Sequence, residues 1–125
     1  MNTFYPAIFC KEDIGYSVRV PDIDGCVSQG DTLDEACHYI KEAIGLCLEG
    51  VETLPAASDI NTIECEKDEF LVLVEFDMLE YKKRHENKAV KKTLTIPFWL
   101  NEEAERQHIN FSSVLQSALK QRLGV

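Results

Sequence analysis

The segment from Lys91 to Val125 constrains this chain most, because it reads as one strand and two short helices and is too small to fold alone. Thr93-Leu94-Thr95-Ile96-Pro97 alternates polar and apolar residues, stops on a proline, and precedes two stretches with helical periodicity. A lone strand has both edges unpaired, so this unit needs a second copy. Antiparallel pairing of two such strands sets Leu94 and Ile96 of both chains against a shared core. It leaves Lys91, Thr93 and Thr95 of both on one polar, basic face. A two-stranded ribbon of this kind has the width of a DNA major groove. Val114, Leu115, Ala118, Leu119 and Leu123 give the last helix its dimer-facing stripe, with Leu100 contributed by the helix before it. Asn110 is placed to cap the last helix through the Ser113 amide, which leaves the neighbouring amides as a phosphate anchor at Asn110, Ser112 and Ser113. The bland alternative is a merely solvated strand face. The absence of any acid on that face speaks against it.

Charge divides the chain in the same place. Residues 1–87 carry 7 Lys and Arg against 19 Asp and Glu, a formal −12, whereas residues 88–125 carry 6 against 3, a formal +3, within a total of −9. An acidic body repels phosphate but suits a basic protein partner, and the basic tail suits DNA. No stretch is long and apolar enough to span a membrane, and the N-terminus lacks the basic and apolar regions of a signal peptide. A cytoplasmic protein with no membrane association is expected.

Along the acidic part, Phe4 to Cys10 and Tyr16 to Val20 form a hairpin, and Cys26 to Gln29 a short third strand after a turn at Pro21-Asp22-Ile23-Asp24-Gly25. Thr32-Leu33-Asp34-Glu35 is a capping box, and the apolar recurrence from Leu33 to Leu48 predicts a helix ended by Gly50. Residues 51–69 read as a long solvated connection. Phe70 to Phe76 is a nearly continuous apolar run, the mark of a strand covered on both sides, and a right-handed helical crossover would set it parallel to the first strand. Asp77 can cap a short helix from Met78 to about Arg84, and the polar run Lys82 to Lys88 forms a hinge. The expected division is an acidic domain over 1–80, a hinge over 81–89 and a tail domain over 90–125, with Lys88 in the hinge as a further phosphate contact.

Chemistry is sparse. Five cysteines at 10, 26, 37, 47 and 65 show no paired spacing, so no metal site or cofactor is expected and the thiols read as structural, with Cys37 and Cys47 on the apolar stripe of the first helix. A metal-dependent nuclease would need several carboxylates converging on metal ions. Phe4 to Cys10 contains no acid, although Glu42, Glu75 and Asp77 lie on other elements, and no enzymatic activity is expected. His38, His85 and His108 have no chemical role in this reading.

Three clusters, Pro21-Asp22-Ile23-Asp24-Gly25-Cys26, Gln29-Gly30-Asp31-Thr32 and Glu35-Ala36, resemble the N-terminal signature of HicB-type antitoxins. Thr93 to Pro97, Leu100, Ala104 and Ile109-Asn110-Phe111-Ser112 resemble the ribbon-helix-helix tail that many of these carry. Together the matches cover most of the chain except 51–69. The resemblance implies an α+β fold, a partial RNase H-like β-β-β-α-β domain followed by a ribbon-helix-helix β-α-α dimerisation domain. It implies a protein that blocks a HicA-type, mRNA-cleaving toxin and represses its own operon by binding operator DNA as a homodimer or a higher oligomer. Asp22 and Asp24, on the signature turn, are the expected toxin contacts. One departure is that related tails often have glycine between the two helices, where this chain has Gln107-His108-Ile109; histidine tolerates the left-handed conformation well enough for His108 to serve as the cap. The alternative is a free-standing ribbon-helix-helix transcriptional regulator whose acidic domain binds a ligand or another protein.

Overall fold

Alternation builds the sheet. In β1 (Thr3–Lys11), Tyr5, Ala7 and Phe9 turn to one side and are fully buried, while Phe4, Pro6 and Ile8 turn to the other. β2 (Tyr16–Arg19) and β3 (Val27–Gly30) extend β1 antiparallel, and β4 (Glu69–Phe76) lies on its other side, giving the order β3-β2-β1-β4. The first turn is tight enough to need glycine: Gly15 has φ +76°, and a Cβ there would sit 2.2 Å from the Gly30 carbonyl oxygen.

The structure, a computed structural model, describes residues 3–125 and forms two compact units that meet at Lys88 and Ala89. In the first unit, α1 (Leu33–Cys47) covers one face of the sheet. Its start follows the expected chemistry, with the Glu35 amide donating to the Thr32 hydroxyl at 3.1 Å, while the Glu35 carboxylate reaches back to the Asp31 amide at 3.0 Å. Ala36, Ile40, Ile44 and Leu48 then pack on Tyr5, Phe9, Val18, Val74 and Phe76. Phe9 and Phe70 stack at 5.5 Å between ring centroids.

Three sequence expectations change here. First, β4 runs antiparallel to β1, from Cys10↔Glu69 to Thr3↔Phe76, and not parallel to it. The reason lies in residues 48–68. After α1, the chain is held near Tyr5, whose hydroxyl donates to the Pro55 carbonyl at 2.8 Å, then at Asp22, which accepts from the Ser58 amide at 2.8 Å, and finally at the far end of β1, where the Lys11 amide donates to the Asp68 carbonyl at 3.1 Å. The connection is long enough to traverse the sheet again, so β4 starts from the end where β1 finishes. Second, β4 is an edge strand with one face covered; Leu73 on the other face is 48% exposed. Third, α2 (Met78–His85) occupies most of the expected hinge and packs on α1, so the first unit extends past residue 80 to Lys88.

That packing depends on a missing side chain. Tyr81 is buried in the place where Gly45 leaves no Cβ; one built there would lie 2.1 Å from the ring. Glu49 accepts from the Tyr81 hydroxyl at 3.2 Å, and Glu42 binds Arg84 and His85, both at 2.8 Å. Glycine inside a helix costs about 1 kcal/mol relative to alanine, so space for the ring outweighs propensity at this position. Gly45→Ala should therefore destabilise the chain by roughly 1 to 3 kcal/mol in urea unfolding. In a Tyr81→Ala background the same change should become neutral or stabilising, and an unchanged sign there would show that the ring is not what requires glycine.

Candidate binding surfaces

In the second unit, α3 (Phe98–Arg106) and α4 (Phe111–Leu123) are joined by a corner made from local chemistry. His108 has φ +56° and donates its amide to the Glu105 carbonyl at 3.0 Å, while the Ile109 amide donates to Ala104 at 3.1 Å. This is a Schellman closure with histidine where glycine is usual. Asn110 accepts the Ser113 amide at 3.0 Å and caps α4, as its sequence position requires. Gly124, at φ +74°, ends the helix.

No residue from 89 to 125 is buried. Leu94 is 59% exposed, Val114 56% and Leu119 51%, although their spacing puts them on an apolar stripe. Residues 93–97, expected as a strand, form no ladder in the single chain, for the second unit offers no other strand to pair with. Lys91, Thr93 and Thr95 are exposed on this segment, Asn110, Ser112 and Ser113 are exposed at the start of α4, and Lys88 is exposed at the end of the first unit.

The first unit holds the two expected toxin contacts in different states. Asp22 accepts from both the amide of Ser58, at 2.8 Å, and the Ser58 hydroxyl, so its carboxylate ties down the 48–68 connection. Asp24 is exposed on the turn. Sequence reading missed the hollow between the hairpin tip and the start of α1, about 340 Å³, bordered by Glu12, Asp31 and Glu35 with Tyr16 and Tyr39. Its signal was available in outline, because a capping box directly after a short strand brings Asp31 and Glu35 beside whatever pairs with that strand, here Tyr16↔Gly30.

The carboxylates that could have served a nuclease are spread out. Glu42 binds Arg84 and His85, and Asp77 caps α2 through the Leu79 and Glu80 amides. No group of three or more metal-ligating side chains converges among the described residues. All five cysteines are free, but Cys47 is exposed where the helical stripe predicted burial, because α1 reaches its last turn there. Cys26 is buried, and its thiol is pushed up to about 12, first by burial and then by the Cys47 thiol beside it. Across the open face of the sheet Arg19 meets Glu69 at 2.6 Å, a bond that holds the Glu69 carboxyl below its ordinary range. Among the described residues no helix is long and apolar enough to cross a membrane.

Known proteins resemble this chain over most of its length. A protein of Haemophilus phage HP1, known as an uncharacterized 14.9 kDa protein of the rep-hol intergenic region, is 37% identical over 100 residues, covering 74% of this chain and 72% of its own. A solved toxin-antitoxin complex from Streptococcus pneumoniae contains a chain 28% identical, with a TM-score of 0.58 over 98% of this chain and 99% of that one. The Burkholderia pseudomallei antitoxin HicB, at 24% identity, shares the fold with a TM-score of 0.53 over 97% of this chain and 98% of its own. Residues 5–119 match the family model of the HicB-like antitoxin of bacterial toxin-antitoxin systems, and the chain belongs to that family.

Proposed function

We propose that the first unit binds and inhibits a HicA-type, mRNA-cleaving toxin, and that the second dimerises as a ribbon-helix-helix domain to bind operator DNA and repress the chain's own operon. The observation that carries the reading is the contrast between the units. Residues 1–88 hold a complete core and a formal −11, whereas residues 89–125 carry a formal +2 and contain no buried residue, although they present an apolar stripe. The first arrangement suits a small basic partner, the product expected from a neighbouring reading frame, whose RNA-binding face would be blocked by an acidic surface. The second lacks only a second copy. The partial RNase H-like reading of the first unit rests on its β-β-β-α-β order. The protein acts here by binding, with no catalytic role.

In this proposal Lys91, Thr93 and Thr95 of both chains read base edges from the paired strands, since lysine donates to guanine and threonine can donate, accept or set its methyl against thymine. Asn110, Ser112 and Ser113 position the complex through phosphate at the start of α4, where capping has already aimed the free amides outward. Lys88 adds a phosphate contact. Asp22 and Asp24 of the signature turn are the candidates for touching the toxin, and Asp22 also holds Ser58.

Co-expressing residues 1–88 with the neighbouring toxin should restore growth without the tail. Persistent arrest beside a soluble, folded fragment would place the inhibitory surface elsewhere. Leu119→Asp would put an unpaired charge into the dimer core at a cost on the order of several kcal/mol. It should abolish dimers in sedimentation and operator binding in titration while sparing toxin binding, and unchanged dimers with unchanged operator affinity would refute the interface. Thr93→Ala with Thr95→Ala should cost about 1 to 3 kcal/mol per lost base contact and relax the preference for specific over scrambled duplex. Lys88→Ala should instead weaken both duplexes alike and flatten the slope of log affinity against log salt by about one. Undiminished discrimination by the double threonine variant would remove the ribbon as the reader.

A further inference from the structure

We propose that the face of the sheet opposite α1 is the surface on which the acidic unit receives its basic protein partner; the inference rests on the antitoxin reading and names the surface for it. Strand register puts Phe4, Pro6 and Ile8 of β1, Leu71 and Leu73 of β4, and Val27 of β3 on this face. Phe4 is 50% exposed, Leu73 48% and Val27 66%. The apolar run of β4 is what a strand buried on both sides looks like, yet within this chain one side alone is covered. Pro6 and Ile8 form the buried floor of this face, so the apolar surface it exposes is Phe4 and Leu73 on one side of the Arg19–Glu69 pair and Val27 on the other. Exposed apolar surface over a packed floor is what an interaction site offers.

The centre of the face is already organised. Arg19 sits beside Ile8 in the β1–β2 register and Glu69 beside Cys10 in the β1–β4 register, so their 2.6 Å ion pair crosses over β1. Ile8, beneath it, is only 4% exposed. Next to this strap lies a hollow of about 190 Å³ between Ile8, Ser17, Arg19 and Val27. A rigid apolar floor with an aromatic side chain at one end is the composition of an interface centre.

Charge decides the occupant. A second copy of this unit would bring a formal −11 against −11, whereas a basic protein meets a complementary field and gains in association rate as well as affinity. α1 offers its own exposed apolar residue, Leu46 at 66%, and serves as the internal comparison.

The test uses the full chain and, as probe, a small basic HicA-type toxin protein, with binding followed by calorimetry and folding by thermal unfolding. Leu73→Lys and Phe4→Ser should each weaken the complex by about tenfold or more, while Leu46→Lys stays within about twofold. Operator binding should be the same for all. Should Leu73→Lys fail to fold, Phe4→Ser alone carries the test, because its side chain is half exposed already. Parent-like affinity in both sheet variants, or loss confined to Leu46→Lys, would overturn the inference and leave the antitoxin reading standing. A change in the chain's own sedimentation on Leu73→Lys, without effect on the probe, would assign the face to a second copy and overturn it too. Failure of the parent chain to bind the probe would remove the antitoxin reading and this inference with it.

Discussion

Burial has to be supplied by some partner, and for residues 89–125 it does not come from within the unit. Removing apolar surface from water is the main favourable term in folding, at roughly 25 cal/mol per Å², and it must offset the entropy of ordering each residue. Leu94 and Ile96 before α3, and Val114 and Leu119 in α4, stay between 42% and 59% exposed in the single chain. The caps at Asn110 and His108 shape the helices without replacing a core, since each contributes on the order of 1 kcal/mol. In the proposed reading, dimerisation supplies the burial that the tail lacks as a single chain, and the DNA-facing ribbon follows from the pairing of the two copies.

The first unit solves the same problem internally, at the expense of a long return path. α1 ends where β4 would also have to end for an antiparallel sheet, and residues 48–68 bring the chain back to the other side. Tyr5 bonded to Pro55, Asp22 to Ser58 and Lys11 to Asp68 fix that path at three points. Placing α2 against Gly45 then closes the unit with Tyr81 and three charged partners. With its own core, the acidic unit can present a surface to a partner whatever the state of the tail, which is what the proposed pair of binding tasks would require.

The parts legible in the sequence are those governed by local chemistry. Thr32 and Glu35 announced α1, Asp77 announced α2, and Asn110 and His108 fixed the corner of the tail, because capping is decided within four or five residues. The direction of β4 was not legible, since it depends on where an irregular connection goes, and one of the three bonds that pin it joins Asp22 to a serine 36 residues away. That same bond gives Asp22 a part in holding the connection that its turn position did not announce. Leu71 and Leu73 misled in the other direction: a two-sided apolar strand pattern reports that something covers both faces and is silent on whether the cover belongs to the same chain.

The dependence of the tail on a second copy is open to direct measurement by amide hydrogen exchange across a range of protein concentrations. If the ribbon forms between chains, amides in 93–96 and the apolar stripe of α4 should be protected at high concentration and lose that protection together on dilution through the dimer dissociation range, while Ile40 and Phe9 in the first unit remain protected throughout. Protection of 93–96 that does not change with concentration down to a chain shown by sedimentation to be monomeric would contradict the account, because the tail would then be folding without the burial that only a second copy can provide.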